Sequence, residues 1–315
     1  MARVLITGVT GQIGSYAAEQ LVGAGHDVLG VCWPASDALP QGVRRCQTAL
    51  TPTTAAQLLD ECGQLDAVIH LAGISSVAQS WQDPVAAFTT NTDVTAALVH
   101  QLRHGKTRLV HASSAEIFGR APTPIQDEQT PIAPLTPYGI SKAAAHMFVK
   151  LGREAYGAPM SNAILFLGES ERRAPHFVFR KITRGLAAVS LGRTDHLALG
   201  DTSVVRDFSH ASDLASAIVR LALDAPAAEY VCASGVGHSI ADIATTACEL
   251  LGLDPAVVLR TDPALLRPAD IPSLVGDNSR LRSLGWAPGV GFRQLVKTIL
   301  DHDLGQLRAD ATQVH

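Results

Sequence analysis

The stretch VLITGVTGQIG, residues 4–14, decides the fold of this 315-residue chain. It joins a short apolar run to a helix-like segment through three glycines. Gly8 permits a tight turn, Gly11 lets a pyrophosphate approach the backbone, and Gly14 lets the helix pack on the strand. The first N–H groups of the helix attract phosphate. The stretch therefore predicts a dinucleotide-binding loop, which also contains Thr10, Gln12 and Ile13.

Short apolar runs alternate with helical patterns along the first half of the chain. Continuous apolar runs of this length are typical of buried parallel strands. Their alternation with helices indicates right-handed crossovers, and so an α/β fold with a doubly wound parallel sheet, the Rossmann fold. Beyond the first strand, the pattern predicts strands at 26–31, 66–72, 108–113 and 162–167, and helices at 12–24, 55–63, 84–103 and 138–156.

A smaller C-terminal lobe is predicted because the regular alternation ends near residue 167. We assign residues 1–166, together with about 206–225, to the nucleotide-binding domain. Residues 167–205 and 226–315 are assigned to a substrate-binding domain. The irregular pattern of these segments favours insertions at the C-terminal end of one fold over a separately folding unit.

Composition and charge exclude several classes of protein. The net charge of −4 argues against nucleic acid and against an anionic membrane surface, since both need a basic face. No apolar run reaches the length of a membrane span, and no signal-peptide pattern is present. Five scattered cysteines without paired spacing argue against a disulfide framework or a zinc site, and we expect no metal. These features predict a cytoplasmic protein.

Two short motifs supply the candidate catalytic residues. SSAE places Ser114 and Glu116 directly after a predicted strand, at the sheet edge where ligands bind in such folds. YGISK places Tyr138 and Lys142 four residues apart, on one face of a helix. A nearby ammonium favours the ionised phenol, which can take a proton from a sugar hydroxyl while hydride leaves the same carbon. Ser114 would bind the developing oxyanion, and Glu116 would be a base for a second proton.

With these motifs in order, the chain resembles the extended short-chain dehydrogenases/reductases, in the epimerase/dehydratase superfamily. Within that group it is most similar to GDP-mannose 4,6-dehydratases. The most specific stretch is ILFLGESERRAPHFVFRKITRG, residues 164–185. Further similarity lies in residues 8–16, 197–213 and 267–288, while 75–81 and 231–240 also resemble GDP-4-keto-6-deoxymannose reductases.

The resemblance implies a GDP-sugar substrate, a bound NADP and a transient oxidation at C4 of the sugar. It assigns Ser114, Glu116, Tyr138 and Lys142 as the catalytic set, with Tyr138 and Lys142 also touching the cofactor. Further cofactor contacts implied by the HLAG stretch are Leu71, Ala72 and Gly73. The substrate contacts that it implies, besides Glu116, are Ser76, Arg172, Lys181, Arg206 and Arg267.

The chain departs from the family at the end of two strands. Leu167 and Gly168 stand where the family has Asn-His, and the Asn helps to hold the sugar nucleotide. The second strand ends in CWP, residues 32–34, without the acidic residue that usually binds the ribose of NAD. That absence favours NADP, with NAD as the alternative, and Arg44 and Arg45 are candidates for its 2′-phosphate.

Several outcomes remain open from sequence. A 4,6-dehydratase is the leading hypothesis, with a 4-ketoreductase of a GDP-4-keto-6-deoxy sugar or a nucleotide-sugar epimerase as alternatives. A protein of a different class, one that binds nucleotide without catalysis, is disfavoured by the intact Ser114, Tyr138 and Lys142. Members of the superfamily pair two helices per subunit, here 84–103 and 138–156, which predicts a homodimer with a tetramer as the alternative.

Overall fold

The computed structural model describes residues 1–32, 39–265 and 271–312. Its strands are β1 (Arg3–Thr7), β2 (Asp27–Val31), β3 (Arg44–Cys46), β4 (Ala67–His70), β5 (Arg108–Ser114), β6 (Met160–Leu165), β7 (Leu167–Glu169), β8 (Leu197–Leu199), β9 (Val205–His210), β10 (Glu229–Cys232), β11 (Gly237–Ser239), β12 (Leu259–Thr261) and β13 (Ser273–Leu274). Its α-helices are α1 (Gln12–Gly23), α2 (Pro52–Cys62), α3 (Val77–Gln82), α4 (Pro84–Phe88), α5 (Val94–Leu102), α6 (Pro137–Tyr156), α7 (Val178–Ser190), α8 (Ala211–Leu223), α9 (Ile240–Leu251), α10 (Pro255–Val258), α11 (Ser279–Ser283) and α12 (Phe292–Thr312).

Seven strands form the central sheet, in the order β10-β6-β5-β4-β1-β2-β3. Every neighbouring pair is parallel. Along the chain, the sheet is built from β1 outwards to β3, and then from β4 outwards in the opposite direction to β10. Sheets of this kind bind ligands in the crevice at this switch point, between β1 and β4. The predicted doubly wound Rossmann sheet is therefore confirmed.

Helices cover both faces of the sheet, because its strands are apolar on both sides. One face packs against α1 and α8 through a core that includes Leu21, Leu214 and Ile218. The other face packs against α2, α5 and α6 through residues such as Leu58, Leu98 and Val149. This burial on both sides explains why the strands read as continuous apolar runs.

A second core lies between α7, α9 and α12 and includes Phe179, Ile243 and Ile299. The strands beside it form a small sheet in which β9 pairs with β7, β11 and β13. The predicted smaller C-terminal lobe is present. Its boundary differs in two respects. Glu229–Cys232 pairs in register with β6 and belongs to the large sheet. Val205–His210, whose residues from 206 onwards were assigned to the nucleotide-binding domain, is β9 of the small sheet.

Two predicted helices differ in detail from the observed ones. The helix predicted at 55–63 begins at Pro52, because Thr51 and Thr54 form reciprocal capping bonds at its start. The helix predicted at 84–103 is interrupted by a π-helical turn, Thr89–Asp93, between α4 and α5. Such turns are frequent at functional sites, and this one carries Asn91 into the site described below.

Candidate active site

The glycine loop after β1 has the geometry that the sequence predicts. Gly8 has a φ of +72°, and a Cβ there would lie 2.8 Å from the backbone nitrogen of Ala72. A Cβ at Gly14 would lie 2.2 Å from the carbonyl oxygen of Gly8. Gly11 caps α1 without a side chain, so the first N–H groups of the helix are left for another acceptor. These features fit a dinucleotide whose pyrophosphate sits at the start of α1.

Replacing Gly14 by Ala should abolish tight cofactor binding, because the new methyl group would collide with the backbone of Gly8. Gly23 at the end of the same helix is a matched control, since nothing lies within 4 Å of a Cβ there. Gly23→Ala should raise stability by about 0.5–1 kcal/mol. Titration with NADP and thermal unfolding measure both effects. Equal cofactor affinity in Gly14→Ala and wild type would contradict the assignment of this loop.

The side chain of Gln12, a predicted cofactor contact, is hydrogen-bonded to β7 and the residue after it. Its side-chain nitrogen donates to the carbonyl oxygen of Gly168 at 2.7 Å, and its side-chain oxygen accepts from Ser170 Oγ at 2.8 Å. A Cβ on Gly168 would lie 2.8 Å from Leu214 Cδ1 on α8 and 3.4 Å from Ile13 Cδ1 on α1, so β7 packs closely against both helices. Gln12 therefore ties the cofactor loop to the strand that begins the smaller lobe.

Ser114 and Glu116 lie at the carboxyl end of β5, as predicted. Ser114 ends the strand, and its hydroxyl accepts a hydrogen bond from the backbone of Glu116 at 3.2 Å. The short 3₁₀ turn Ala115–Phe118 follows and is anchored by the buried side chains of Ile117 and Phe118. This turn holds the backbone of Glu116 against Ser114.

Tyr138 and Lys142 lie on the first turns of α6, next to that 3₁₀ turn. Thr136 caps the helix by accepting from the backbone of Gly139 at 2.9 Å. A Cβ on Gly139 would lie 2.8 Å from the carbonyl oxygen of Glu116, so the helix and the turn are in close contact. The structure thus brings all four predicted catalytic residues together.

Burial and neighbouring groups set the ionisation of Tyr138 and Lys142. Burial raises the pKa of Tyr138, and a hydrogen bond from Ser114 and the charge of Arg173 oppose that effect. Burial lowers the pKa of Lys142 to about 8. The spacing of the two residues predicts that Lys142 favours the phenolate. In the structure the groups that favour it are Ser114 and Arg173, and Glu116 acts against it.

Asn91, on the π-helical turn, positions the start of α6. Its amide oxygen accepts from the backbone of Ile74 at 2.9 Å, and its amide nitrogen donates to Ser141 Oγ at 2.9 Å. Ser141 in turn donates to the carbonyl oxygen of Tyr138 at 2.8 Å. A Cβ on Gly73 would lie 2.5 Å from the Asn91 amide oxygen, so the loop after β4 is held against this residue. Leu71, Ala72 and Gly73 therefore face the glycine loop and α6 together.

The predicted substrate contacts fall into different surroundings. Arg172 forms a bidentate pair with Glu19, bonds Ser15 at 2.8 Å and stacks on Tyr16 at 3.7 Å. Its guanidinium is thus engaged by α1, and a substrate phosphate would have to displace Glu19. Arg206 is buried and donates to the carbonyl oxygen of Ile271 at 2.7 Å.

Of the other predicted contacts, Ser76 caps α3 and accepts from the backbone of Gln79 at 3.2 Å. Lys181 lies half-buried on the first turn of α7. Arg267 lies outside the described residues. Whether these side chains bind a nucleotide stays a prediction.

Arg173 influences Tyr138 and pairs with Glu169, and neither residue is among the predicted site residues. Arg173 stacks on Phe177 at 3.5 Å, and its Nε lies 4.0 Å from the carboxylate of Glu169. Burial raises the pKa of Glu169 to about 7. Neither Arg173 Nε nor Glu169 Oε2 has a hydrogen-bond partner among the described residues. The ES-x-RR spacing signalled this pair, but only the fold shows that the charge of Arg173 lowers the pKa of Tyr138.

The residues that would read the adenosine ribose of the cofactor are only partly described. Residues 33–38, which include Trp33 and Pro34 at the predicted end of the second strand, lie outside the described residues. Arg44 forms a bidentate pair with Asp27 at the start of β2, with its Nε 3.0 Å from that carboxylate. Arg45 is exposed on β3. Of the two arginines proposed for a 2′-phosphate, Arg44 is thus held by a carboxylate.

Residues 1–32, 39–265 and 271–312 contain neither a metal cluster nor a membrane-spanning helix. No cluster of three or more His, Cys, Asp or Glu side chains there has the arrangement to hold a metal ion. In those ranges no helix combines the length and the apolar character needed to cross a bilayer.

The fold and the site together define a class. The extended short-chain dehydrogenases/reductases have a parallel sheet in this order, a glycine loop after β1, and Ser, Tyr and Lys residues at the carboxyl edge of the sheet. The model of one family within that class, described as GDP-mannose 4,6 dehydratase, matches residues 5–299. The chain therefore belongs to the GDP-mannose 4,6-dehydratase family.

Relatives and solved structures agree with that placement. "GDP-mannose 4,6 dehydratase 2" from Arabidopsis thaliana is 36% identical over 95% of this chain and 86% of its own length. UDP-glucose 4-epimerase from Thermus thermophilus, in complex with NAD, is 27% identical with a TM-score of 0.85, covering 96% of this chain and 99% of its own. RMD from Pseudomonas aeruginosa, complexed with NADPH, is 25% identical with a TM-score of 0.82. The match covers 97% of this chain and 100% of the RMD chain.

Proposed function

We propose that this protein is a nucleotide-sugar 4,6-dehydratase that converts GDP-mannose, or a related GDP-hexose, into a 4-keto-6-deoxy sugar. The observation that carries the proposal is the position of Glu116. It follows Ser114 on a rigid turn and lies against the helix of Tyr138 and Lys142. A simple alcohol dehydrogenase needs the hydroxyl, the phenol and the amine, but elimination of water needs a further carboxylate near the same carbon atoms.

The four residues divide the reaction between them. Tyr138 takes the proton of the C4 hydroxyl, and Ser114 donates a hydrogen bond to the oxygen as its charge develops. A nicotinamide cofactor held at the glycine loop would supply the hydride acceptor for C4 and the hydride donor for C6. Glu116 removes the proton at C5, which is acidic beside the new ketone, and passes it to the C6 hydroxyl, which leaves as water. Tyr138 then returns its proton to C5, so the protein ends the cycle unchanged.

NADP is the cofactor that we propose, with NAD second. The glycine loop and the start of α1, which has no side-chain cap, fit a dinucleotide of either kind. The sequence CWP at residues 32–34 lacks the acidic residue that usually selects NAD. We also propose a cytoplasmic location, and the five free cysteines fit a reducing compartment.

Incubation of the purified protein with NADP and GDP-mannose tests the function. The proposal predicts a product lighter by one water, without net reduction or oxidation of the cofactor. Consumption of one NADPH for each molecule of a 4-keto sugar, with no reaction of GDP-mannose, would instead identify a 4-ketoreductase. Recovery of a sugar of unchanged mass and altered stereochemistry would identify an epimerase.

We further propose that the protein is a homodimer that pairs α6 and its neighbouring helices across a two-fold axis. Supporting this is a stripe of exposed apolar side chains at helical spacing. Monomeric proteins rarely expose contiguous apolar patches of this kind. The stripe comprises Ile140, Met147, Phe148 and Leu151 on α6 and continues with Trp81, Val85 and Phe88 on α3 and α4.

Leu151→Glu should convert the dimer into a monomer, because a carboxylate cannot be buried unpaired in an apolar interface. Leu151 is 50% exposed in the single chain, so the substitution should leave the fold of the subunit intact. Light scattering measures the mass in solution. Val257→Glu is a control, because Val257 is also exposed but lies on α10, away from the stripe. A monomeric wild-type protein, or a dimeric Leu151→Glu variant, would contradict this interface.

A further inference from the structure

A cluster of polar side chains joins the cofactor helix α1 to the segment that leads from β7 towards α7. We call residues 170–173 of this segment the arginine segment. Burial raises the pKa of Tyr138, and the charge of Arg173, the last residue of the arginine segment, opposes that rise. The centre of the cluster is Tyr16, which lies half-buried on the second turn of α1. The reaction proposed above gives Tyr16 no role.

Tyr16 contacts the arginine segment through both its hydroxyl group and its ring. The hydroxyl donates a hydrogen bond to the carboxylate of Glu171. The guanidinium of Arg172 stacks on the ring, 3.7 Å from its centroid. His210, at the end of β9, meets the ring edge-on with the centroids 5.5 Å apart, and its Nε2 lies 3.8 Å from the other carboxylate oxygen of Glu171. Tyr16 thus joins α1 to two separate parts of the small lobe, the arginine segment and β9.

The residues on either side of Glu171 are bonded to the same helix. Arg172 forms its bidentate pair with Glu19 and donates to Ser15 Oγ at 2.8 Å. Ser170 Oγ donates to the side chain of Gln12 at 2.8 Å and accepts from the backbone nitrogen of Arg172 at 3.2 Å. The side chains of the arginine segment are therefore held on α1 at successive positions, with Tyr16 at the middle one.

The backbone of the arginine segment is held by α7. Arg180 Nη1 donates to the carbonyl oxygen of Glu171 and, at 2.7 Å, to that of Arg173. Arg180 is itself fixed by its buried pair with Asp303. The segment that carries Arg173 is thus bonded to α7 by its carbonyl oxygens and to α1 by its side chains. Its position depends on both helices.

The bond between Tyr16 and Glu171 persists over a wide range of pH. Burial and the nearby carboxylate raise the pKa of Tyr16, so the phenol keeps its proton. Burial opposes the ionisation of Glu171, but the hydrogen bond from Tyr16 and the neighbouring His210 and Arg172 outweigh it and lower the pKa of that carboxyl. A further charged group facing Tyr16 is Glu19 on α1. A neutral phenol thus donates to a charged carboxylate, which is one of the stronger kinds of hydrogen bond.

We propose that Tyr16 is a positioning residue, which holds the arginine segment on the cofactor helix and so fixes the guanidinium of Arg173 relative to Tyr138. The Arg173 side chain stacks on Phe177 at 3.5 Å, and its Nε has no hydrogen-bond partner among the described residues. The backbone of the segment therefore has a large part in locating this charge. The inference rests on the proposed role of Tyr138, which takes the proton of the C4 hydroxyl.

Tyr16→Ala tests the proposal, because it removes the hydroxyl group and the ring together. The released segment should hold Arg173 less well, so its charge should favour the phenolate of Tyr138 less, and the pKa of Tyr138 should rise. Tyrosinate absorbance, read milliseconds after a pH jump and before the protein unfolds, follows the ionisation. Subtracting the signal of the same protein with Tyr138→Phe leaves the signal of Tyr138 alone. We expect a midpoint at least about 0.5 pH unit higher than in wild type.

A double variant shows whether Tyr16 acts through Arg173. Arg173→Gln should also raise the midpoint of Tyr138, since it removes the charge that favours the phenolate. Adding Tyr16→Ala to Arg173→Gln should change the midpoint no further, because the charge that Tyr16 positions is then gone. Additive shifts of the two substitutions would overturn the proposal, since they would show that Tyr16 acts by another route.

Tyr16→Phe and Val22→Ala complete the set of variants. Tyr16→Phe keeps the ring against Arg172 and loses only the bond to Glu171, so it should fold and shift the midpoint upwards by a smaller amount. Val22 also lies on α1 and packs against the core of the large sheet, so Val22→Ala should lower the melting temperature without moving the midpoint. An unchanged midpoint in Tyr16→Phe would overturn the proposal even where Tyr16→Ala fails to fold. A shift in Val22→Ala equal to that in Tyr16→Ala would overturn it too.

The titration separates this proposal from the proposed reaction, because no sugar takes part in it. Wild-type protein without dehydratase activity, but with the expected midpoints, would reject the reaction and support the positioning role of Tyr16. In an active protein, the limb of the pH–rate profile that requires ionised Tyr138 should move to higher pH in Tyr16→Ala, by the same amount as the midpoint. A limb at the wild-type pH in that variant would contradict the positioning role.

Discussion

Glu116→Gln should lower the turnover of GDP-mannose by about two to four orders of magnitude, the usual contribution of a general base. Gln keeps the size of the side chain and its place on the 3₁₀ turn, so the backbone bond to Ser114 should persist. An amide cannot take the proton at C5, and water cannot leave C6 without it. Oxidation at C4 needs only Ser114, Tyr138 and the cofactor, so a small amount of reduced cofactor should accumulate in the variant.

The measurement is the rate of keto-sugar formation, together with cofactor absorbance in a single turnover. Glu154→Gln is the control, since Glu154 lies on α6 with its side chain 61% exposed and pairs only weakly with Lys150. Its rate should equal that of wild type. Near-normal turnover in the Glu116→Gln variant would show that Glu116 is not the base of the elimination step. That result would favour a reductase or an epimerase.

Asp303→Ala should destabilise the fold by about 3–5 kcal/mol, because it leaves a buried guanidinium without its partner. Asp303 on α12 is 0% exposed and Arg180 on α7 is 5% exposed. The two make a bidentate pair, with Nη2 and Nε of Arg180 at 2.5 and 3.2 Å from the carboxylate oxygens. Thr183 donates to the same carboxylate at 2.7 Å.

The effect should also reach the active site. Arg180 Nη1 donates to the carbonyl oxygen of Arg173 at 2.7 Å, so the pair supports the loop that turns Arg173 towards Tyr138. Asp301→Ala is the control on the same helix, because its pair with Lys297 is exposed and worth at most about 1 kcal/mol. Denaturant unfolding measures both free energies. Similar losses in the two variants would show that the buried pair does not hold the lobe.

The sequence predicted the large sheet well because its signals are local. The glycine loop, the apolar strands and the YGISK helix each lie within a few residues, and each is confirmed. Ser114, Glu116, Tyr138 and Lys142 could be placed because the end of a strand and the start of a helix both face the carboxyl edge of a parallel sheet.

Features that depend on contacts between distant segments could not be predicted in this way. The engagement of Arg172 by Glu19 joins residues 153 positions apart. The alignment of Thr7, His70, His111 and Asn162 across neighbouring strands needs the register of the sheet, because each of these residues reads locally as a polar residue in an apolar run. His70 is a satisfied core histidine, since both of its ring nitrogens are bonded.

The fate of a deuterium placed at C4 of GDP-mannose tests the central claim most directly. A 4,6-dehydratase oxidises C4 and reduces C6 of the same sugar molecule, while Glu116 removes the C5 proton. The account predicts that the deuterium appears at C6 of the product, within the molecule that carried it. Deuterium that returns to C4, or that leaves with a released reduced cofactor, would contradict it.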